Sequence, residues 1–398
     1  MALRQVVSLD TDPETGRLRE RVRSWLAEHL DDEFRRTAAN ADYLPRDSHE
    51  RAVQFCRALH EQGWFVPHWP VEHGGGGLDV VQQVVIREEL AYAGAPIVNN
   101  NGVNMLAPVL MAYGTAKQQA EHLPLIARSE RMWAQGYSEV GAGSDLAALR
   151  MTARRDGDEY VLNGHKTWTS NGMLADWIFV LARTSPVERK RQDGISFFLV
   201  DMASEGIIRR PIRSMTGYPT FAEEFFDDVR VPADQLVGGE GEGWRVAKAL
   251  LNAERTNVTR AAQAQRYLDE LVEWCHRQGP GNPLLDPGRR AAVARVIEKV
   301  EMGRALSYRI AHLQAERALT PGIASLSKLY HSELAAEVRS VGADVLGLPG
   351  MLLPQDPDAV LHGHFSEGLL LSLLHRIGGG TSEIQRDVIA TTALGLPR

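Results

Sequence analysis

Apolar residues recur every three or four positions through the first 130 residues, the spacing of helices that bury one face. Leu18, Val22 and Leu26 follow this pattern after Pro13, a residue that suits the first turn of a helix. The same spacing predicts three more helices, at 46–62, 80–93 and 116–128. Segments containing Pro and Gly separate them, so the pattern predicts a helical N-terminal domain over 1–130.

The pattern changes in the middle of the chain. Runs rich in β-branched and aromatic residues, bounded by Gly, Pro or Asp, predict strands at 176–182, 195–200 and 224–231. Residues 159–162 lead into Asn163-Gly164, a dipeptide typical of tight turns, so a hairpin is predicted there. These elements predict an antiparallel β-domain over 131–236.

The last part of the chain is helical again. Proline is absent from 237–279, 288–320 and 322–348, so helices of bundle length can form. The predicted fold class is α+β, with an N-terminal helical domain, a middle antiparallel β-domain and a C-terminal four-helix bundle over 237–398. Alternating strand–helix–strand units are missing, which argues against a doubly wound sheet and against most nicotinamide dehydrogenases.

Composition narrows the class of protein. The chain has 44 Lys+Arg against 51 Asp+Glu and a net charge of −7, so nucleic acid and anionic membranes are not expected partners. Cys56 and Cys275 are too few for a disulfide framework or a Cys-rich metal cluster. His362 and His364 lack neighbouring carboxylate or cysteine ligands, so no metal site is predicted. We expect a cytoplasmic enzyme.

Two segments of the middle domain carry candidate chemistry. The first, 135–145, is rich in Gly and Ser, and the second, 163–171, contains Trp168 among hydroxyl residues. Small residues allow the backbone to approach a planar polar ligand, and the indole ring offers a face for stacking. The alternative is a glycine-rich turn beside a core tryptophan, and these residues alone leave both interpretations open.

A third segment, 377–386, has three glycines followed by Thr381 and an apolar-periodic run. Such a loop enters a helix whose free N–H groups can meet an anion or a carbonyl oxygen. Taken alone, the segment is better explained as an ordinary helix N-cap.

Four phrases, in this order, resemble the acyl-CoA dehydrogenase family. They are Ser138-Glu139-x-Gly141-Ala142-Gly143-Ser144-Asp145, Asn163-Gly164-x-Lys166-x-Trp168, Phe225-Phe226-Asp227-Asp228-Val229-x-Val231-Pro232 and Gly380-Thr381-Ser382-Glu383-Ile384-Gln385-Arg386. The resemblance spans nearly the whole chain. It implies the same helix–strand–helix order, non-covalently bound FAD, and removal of hydrogens from the α and β carbons of an acyl-CoA.

The resemblance also implies roles for single residues. Trp168 should lie along the isoalloxazine, and Ser170 should bring its hydroxyl near N5. The residues implied to bind FAD are Gln135, Tyr137, Ser138, Ser144, Trp168, Ser170, Arg277, Gly347, Thr381 and Glu383. Those implied to bind the acyl-CoA are Ser144, Asn252, Arg255 and Gly379.

The catalytic base is expected outside the C-terminal motif. Many members carry a Glu where this chain has Gly379, whereas a branch similar to isovaleryl-CoA dehydrogenase carries it on the first long helix of the bundle. Glu254 falls on that position, so we predict that Glu254 takes the α proton and that Arg255 orients the site. An exposed Glu–Arg pair on a helix is the alternative. Gly379 keeps the main-chain N–H that the family uses to hold the thioester carbonyl.

Two segments depart from the family's pattern. Where the family usually has an Arg-x-x-Phe-Gly segment, this chain has Arg277 followed by Gln278-Gly279-Pro280-Gly281. Where the family has a Gln-x-x-Gly-Gly segment that contacts adenosine, this chain reads Asp344-Val345-Leu346-Gly347-Leu348. The resemblance implies a homo-tetramer or homo-dimer with an electron-transfer flavoprotein as acceptor. The departures leave open a hetero-oligomer in which this chain is a low-activity or non-catalytic partner subunit. A flavin-dependent acyl-CoA oxidase is a further alternative.

Overall fold

A computed structural model describes residues 13–37, 46–187, 189–250 and 258–397. The helices within these ranges are α1 (Pro13–His29), α2 (Asp32–Thr37), α3 (Arg46–Glu61), α4 (Val80–Ala93), α5 (Ala107–Tyr113), α6 (Ala116–Ala127), α7 (Gly243–Leu250), α8 (Val258–Arg277), α9 (Pro287–Ala315), α10 (Pro321–Leu346), α11 (His364–Ile377) and α12 (Ser382–Val388). The three predicted helices at 46–62, 80–93 and 116–128 are confirmed to within one residue at each end. The predicted α+β class is also confirmed.

Within the described residues, eight strands form one sheet in the middle of the chain. They are β1 (Trp133–Gly136), β2 (Thr152–Asp156), β3 (Glu159–Ser170), β4 (Trp177–Arg183), β5 (Ile195–Asp201), β6 (Ile207–Ile212), β7 (Phe221–Pro232) and β8 (Leu236–Val237). Their order is β6-β7-β3-β2-β4-β5-β8, with β1 beside β4. Most neighbours are antiparallel, as predicted, but β4 runs parallel to both β1 and β2.

The predicted hairpin turn at Asn163-Gly164 is wrong. β3 continues through both residues, and the tight turn lies earlier, at 157–158. The Asn163 amide donates to Asp228 Oδ1 and its oxygen accepts from the Asp228 N–H, both at 2.9 Å, while a Cβ at Gly164 would stand 2.8 Å from Met151. The dipeptide therefore forms a bulge in a long strand, where its side-chain amide and its missing Cβ are both needed.

The internal contacts divide the chain into two units. The bundle unit takes its described residues from Met1–Asn40, Leu78–Pro96 and Arg255–Arg398, and the sheet unit takes its own from Ala41–Gly77 and Ile97–Glu254. The N-terminal helices are thus shared: α1 and α4 belong to the bundle unit, and α3, α5 and α6 to the sheet unit.

Side-chain amides attach the helices of the sheet unit to its strands. Gln118 on α6 donates to the carbonyl oxygens of Asp234 and Leu236, at 2.7 and 2.9 Å. Asn99 accepts from the Trp133 N–H at 3.1 Å, which fixes the start of β1. These bonds satisfy backbone groups at the strand ends and hold β1, the strand that leads into the predicted flavin-binding segment.

The bundle unit packs long helices around an apolar core. α9 and α10 each begin with a proline preceded by a capping side chain, Asp286 for α9 and Thr320 for α10. A Cβ at Gly342 would overlap the ring of Phe365, so that glycine lets α10 and α11 approach closely. No helix in the described ranges is both long and apolar enough to cross a bilayer.

A buried charge network joins α1 and α4 to α9. Glu88 on α4 accepts from Arg19 on α1 at 2.7 Å and from the Tyr308 hydroxyl at 2.8 Å, and it pairs with Arg304. Burial alone would raise the pKa of Glu88, but the two arginines lower it below its ordinary value. The neighbouring Glu89 also pairs with Arg19. These charges compensate one another only when all three helices are in place.

Glu88→Ala should destabilise the protein by about 3–5 kcal/mol, because it removes the buried carboxylate that Arg19 and Arg304 share and leaves only Glu89 to compensate Arg19. Glu337→Ala is the matched control, since Glu337 pairs with Lys299 at 2.6 Å on an exposed surface, and we expect it to cost less than about 1 kcal/mol. Denaturant unfolding followed by far-ultraviolet circular dichroism measures both. Equal losses would show that the network does not hold the helices.

Candidate active site

A buried ion pair joins two of the predicted flavin-binding segments in the sheet unit. Lys166 on β3 has no exposed surface and donates to Glu139 Oε1 at 2.9 Å and to the Tyr137 carbonyl at 3.2 Å. Glu139 also accepts the backbone N–H groups of Arg150 and Met151, at 2.7 and 2.9 Å. The lysine therefore attaches the 138–145 segment to β3.

The electrostatics of this pair are those of a desolvated site. Burial lowers the pKa of Lys166 to about 8, and the charge of Glu139 limits the fall. Burial opposes ionisation of Glu139 as well, but Lys166 and the two N–H groups lower the pKa of that carboxyl below its ordinary value. Both groups are charged at neutral pH, and each compensates the other.

Trp168 is turned outward at a second irregularity of β3. The pairing of β3 with β7 shifts between Lys166 and Thr169, and Trp168 has φ of +63° with 59% of its surface exposed. A left-handed backbone is unfavourable for an aromatic residue and persists only where the surroundings enforce it. The interpretation of Trp168 as a core tryptophan is therefore wrong. Ser170, two residues on, is exposed as well.

A carboxyl group lies behind this outward-facing segment. The Thr169 hydroxyl points inward and donates to Glu224 Oε2 on β7 at 2.5 Å. Glu224 has no exposed surface, and burial raises its pKa to about 7, although Thr169 and the positive charge of Arg209 both favour ionisation. Glu224 is thus poised between its neutral and charged forms near neutral pH.

The other predicted residues of the sheet unit lie on either side of this segment. Tyr137 is buried among aromatic rings, with Phe179 at 5.8 Å and Phe197 at 6.4 Å. Within the described part of the chain its hydroxyl has no hydrogen-bond partner. Gln135 is half-buried on β1, and Ser144 is exposed. Ser138, also half-buried, accepts the Thr167 N–H through its carbonyl oxygen at 3.0 Å.

In the bundle unit, the glycine loop 378–380 is held by its carbonyl groups. Lys328 on α10 donates to the Gly380 carbonyl at 2.6 Å, and Gln385 on α12 donates to the Gly379 carbonyl at 3.2 Å. Gly379 has φ of +65° and is exposed, and a Cβ there would meet no atom of the described chain within 4 Å. The loop therefore keeps an open face at Gly379 while its carbonyls are fixed.

Thr381 caps α12 by accepting the Ile384 N–H at 3.2 Å, so the expected N-cap is present. Glu383 lies in the first turn of α12, where backbone and Thr381 hydrogen bonds lower its pKa. Arg277 donates to Glu273 at 3.2 Å at the exposed end of α8, and Gly347 ends α10 with φ of +69°. Within the described part of the chain, neither Arg277 nor Gly347 forms a hydrogen bond or ion pair with the loop that precedes Thr381. Asn252, Glu254 and Arg255 lie outside the described residues.

Comparison with known proteins identifies the family. Models of the acyl-CoA dehydrogenase N-terminal, middle and C-terminal domains match residues 12–130, 134–229 and 241–394. The chain belongs to the acyl-CoA dehydrogenase family. It is therefore an oxidoreductase, and because acyl-CoA dehydrogenases are FAD-dependent flavoproteins, its cofactor is FAD.

Relatives cover the whole chain. Acyl-CoA dehydrogenase IpdE1 of Mycobacterium tuberculosis is 41% identical over 96% of this chain and 97% of its own. One solved structure, the ChsE4-ChsE5 complex from Mycobacterium tuberculosis, is 34% identical with a TM-score of 0.87 over 98% of this chain and 100% of the other. Another, the Tcur3481-Tcur3483 steroid ACAD, is 33% identical with a TM-score of 0.88 and the same coverage.

The residues of this acyl-CoA dehydrogenase fit a flavin. Trp168 presents an exposed ring that the β3 bulge holds in a strained conformation. The segment 138–144, which is rich in small residues, is joined to β3 next to it by the bond from the Thr167 N–H to the Ser138 carbonyl. A flat, polar isoalloxazine requires an aromatic face and closely approaching hydroxyl and backbone groups. The buried hydroxyl of Tyr137 is a further unused polar group in this region.

Sequence reasoning missed Glu224, Lys328 and Gln385 as site-supporting residues. Glu223-Glu224 inside an apolar strand run was a usable signal, because strand alternation turns one of two adjacent residues inward. Lys328 gave no local signal, since the loop carbonyl that it binds is 52 residues away in sequence. Gln385 lies within the C-terminal motif, six residues from the Gly379 carbonyl that it binds.

The titration of Glu224 should appear in the pH dependence of stability. Its pKa is raised from 4.5 to about 7, so in this window the folded chain binds more protons than the unfolded chain. The free energy of unfolding, compared with Glu224→Gln, should fall by up to ~3 kcal/mol as pH rises through the window and then level off. Denaturant unfolding of the apoprotein across this pH range measures the difference, and a difference independent of pH would contradict the raised pKa.

Proposed function

We propose that this acyl-CoA dehydrogenase converts an acyl-CoA thioester to the trans-2-enoyl-CoA, with Glu254 as the base that removes the α proton. FAD, when bound, supplies the two-electron chemistry by accepting the β hydride at N5. The observation that carries the proposal is the exposed Trp168 beside Ser170, held at a strained bulge by buried polar contacts. A tryptophan that served only packing would have no reason for that conformation.

In the sheet unit, Trp168 would stack on the isoalloxazine, and Ser170 would donate toward N5. Gln135, Tyr137, Ser138 and Ser144 would line the flavin, with Ser144 also close to the substrate. The ion pair between Lys166 and Glu139 supports these roles. Together with the bond from Lys166 to the Tyr137 carbonyl, it fixes the backbone on either side of Ser138.

In the bundle unit, Thr381 and Glu383 would approach the flavin and its pyrophosphate, with Arg277 and Gly347 as more distant cofactor contacts. The Gly379 N–H would donate to the thioester carbonyl. The open face at Gly379 and the fixed carbonyls of its loop support this role, because an oxyanion is best stabilised by a donor that is already in position.

Gly379 has no side chain to act as the base, which supports placing that role at Glu254. A base shielded from water by bound substrate has a pKa raised toward neutrality, as proton abstraction near pH 7 requires. Asn252 and Arg255 would contact the acyl-CoA and orient it against Glu254.

The substrate would be an acyl-CoA with a bulky or cyclic group near the thioester. The three-glycine loop supports this, because it lacks the two larger side chains that often stand there in the family. The likeness to a protein described as a steroid ACAD supports a fused-ring acyl group.

For the assembly and the acceptor, we propose an oligomer that passes electrons to an electron-transfer flavoprotein. The likeness to the ChsE4-ChsE5 complex supports a hetero-oligomer beside the homo-oligomeric forms. Recovery of the flavin's colour in air after reduction by acyl-CoA distinguishes an oxidase from this dehydrogenase.

Glu254→Gln should retain flavin and fold but reduce kcat by about 10³-fold or more, because it removes the proton acceptor and little binding. The flavin absorbance of the purified protein and its anaerobic bleaching by acyl-CoA are the measurements. Glu337→Gln, an exposed Glu paired with Lys299, is the control and should behave as the native chain. A yellow Glu254→Gln variant with near-normal turnover would refute the assignment.

Gly379→Ala should discriminate against bulky thioesters. Its positive φ imposes a strain cost on alanine that is common to all substrates, so the readout is the ratio of kcat/KM for ring-bearing and straight-chain acyl-CoAs. We expect this ratio to fall by an amount equivalent to about 1–3 kcal/mol of overpacking. Gly157→Ala is the matched control, since Gly157 has a similar φ of +64° and equally open surroundings, in the turn between β2 and β3. An unchanged ratio would leave the glycine as a backbone requirement only.

A further inference from the structure

Glu224 is a fully buried carboxyl with one oxygen left over. Oε2 accepts the Thr169 hydroxyl at 2.5 Å, whereas Oε1 has no hydrogen-bond partner among the described residues. A Cβ at Gly172 would overlap Oε1, so the absence of that atom makes room for the carboxyl. A buried polar group with only one of its two oxygens hydrogen-bonded lowers the stability of the fold, so its presence calls for an explanation.

The surroundings of Glu224 contain few compensating charges. Arg209, opposite it on β6, donates instead to the carbonyls of Gly172 and Ala175, at 3.3 and 3.1 Å. Lys166, opposite it on β3, is bound to Glu139. The adjacent Glu223 lies near His165 at 3.5 Å and disfavours a second negative charge. The neutral carboxyl therefore fits this position better than the carboxylate.

The same carboxyl is attached to the strained segment of β3. Trp168 has a left-handed backbone, and the bonds that flank it run from the Thr167 N–H to the Ser138 carbonyl at 3.0 Å and from Thr169 to Glu224. Thr169 is the inward-facing residue between Trp168 and Ser170. Its attachment to Glu224 therefore opposes relaxation of the bulge toward a regular strand.

We propose that Glu224 is a positioning residue for the flavin: acting through Thr169, it holds Trp168 and Ser170 in the outward conformation that binds the isoalloxazine. This inference rests on the proposed function and adds to it a residue that touches neither flavin nor substrate. Ionisation of Glu224 leaves an unsolvated charge on the enclosed Oε1, which disfavours the bulge that encloses the carboxyl relative to conformations of β3 in which the carboxyl is hydrated. Flavin affinity therefore depends on the protonation of a group behind the strand.

The test is FAD binding to the apoprotein, followed by quenching of flavin fluorescence, between about pH 5.5 and pH 7.5. In the native chain the Kd for FAD should rise with pH across this range, whereas Glu224→Gln, which imitates the neutral carboxyl, should show a flat profile. Lys166 also titrates, near pH 8, so the readout is the difference between the two profiles. Glu223→Gln is the matched control: it should keep the pH dependence, with a midpoint moved downward, because the charge of Glu223 raises the pKa of Glu224.

Two further variants separate positioning from folding. Glu224→Leu, which keeps the bulk but not the bond, should raise the Kd for FAD about tenfold at the lowest pH, and its profile should be flat. Thr169→Val should also weaken FAD binding. It should move the midpoint of the pH profile upward, because it removes a hydrogen bond that stabilises the ionised form of Glu224. Hydrogen exchange of residues 166–172 in the apoprotein should be faster in both variants than in the native chain.

Identical FAD affinity and exchange in the native chain, Glu224→Leu and Thr169→Val would overturn the positioning role while leaving the proposed function intact. A common pH profile for the native chain and Glu224→Gln would equally overturn it. Failure of the native chain to bind FAD at any pH would instead refute the proposed function, and hydrogen exchange would still decide whether Glu224 holds the bulge.

Discussion

The buried pair between Lys166 and Glu139 is the interaction on which the sheet side of the site depends. Each of these charges would be costly alone in a desolvated position, so the 138–145 segment and β3 must stay together for either to be tolerated. The bond from Lys166 to the Tyr137 carbonyl extends this constraint into the preceding residues. The pair also binds backbone groups that an apolar pair of equal volume would leave without these bonds, namely the Tyr137 carbonyl and the N–H groups of Arg150 and Met151.

The candidate segments in each unit use the same physical device. In the sheet unit, Trp168 has a positive φ and is held by polar groups behind it; in the bundle unit, Gly379 has a positive φ, and Gln385 and Lys328 hold the carbonyls of its loop. In each case a side chain from a regular element fixes an irregular backbone, whose other face stays open. Ligand-binding groups on loops gain their precision in this way from a rigid scaffold.

The sequence predicted the features that depend on local pattern. Helices such as α4 follow from apolar periodicity and a capping box at Asp79, both contained within a few residues. The turn predicted at Asn163-Gly164 was wrong because the conformation of that dipeptide depends on a hydrogen bond to Asp228, on another strand. A flavin-binding role for Trp168 is predicted from the motif. The position of Glu224 beside Thr169 could not be predicted, since it depends on the register between β3 and β7.

The network around Glu88 also bears on the order in which the chain can fold during synthesis. Arg304 leaves the ribosome 216 residues after Glu88, so until α9 has been made Glu88 can pair with Arg19 but not with Arg304. The last residues of the sheet unit are made before then, because they precede α8. The charge network of the bundle unit is therefore completed only after translation of α9, when the whole sheet unit has already been synthesised.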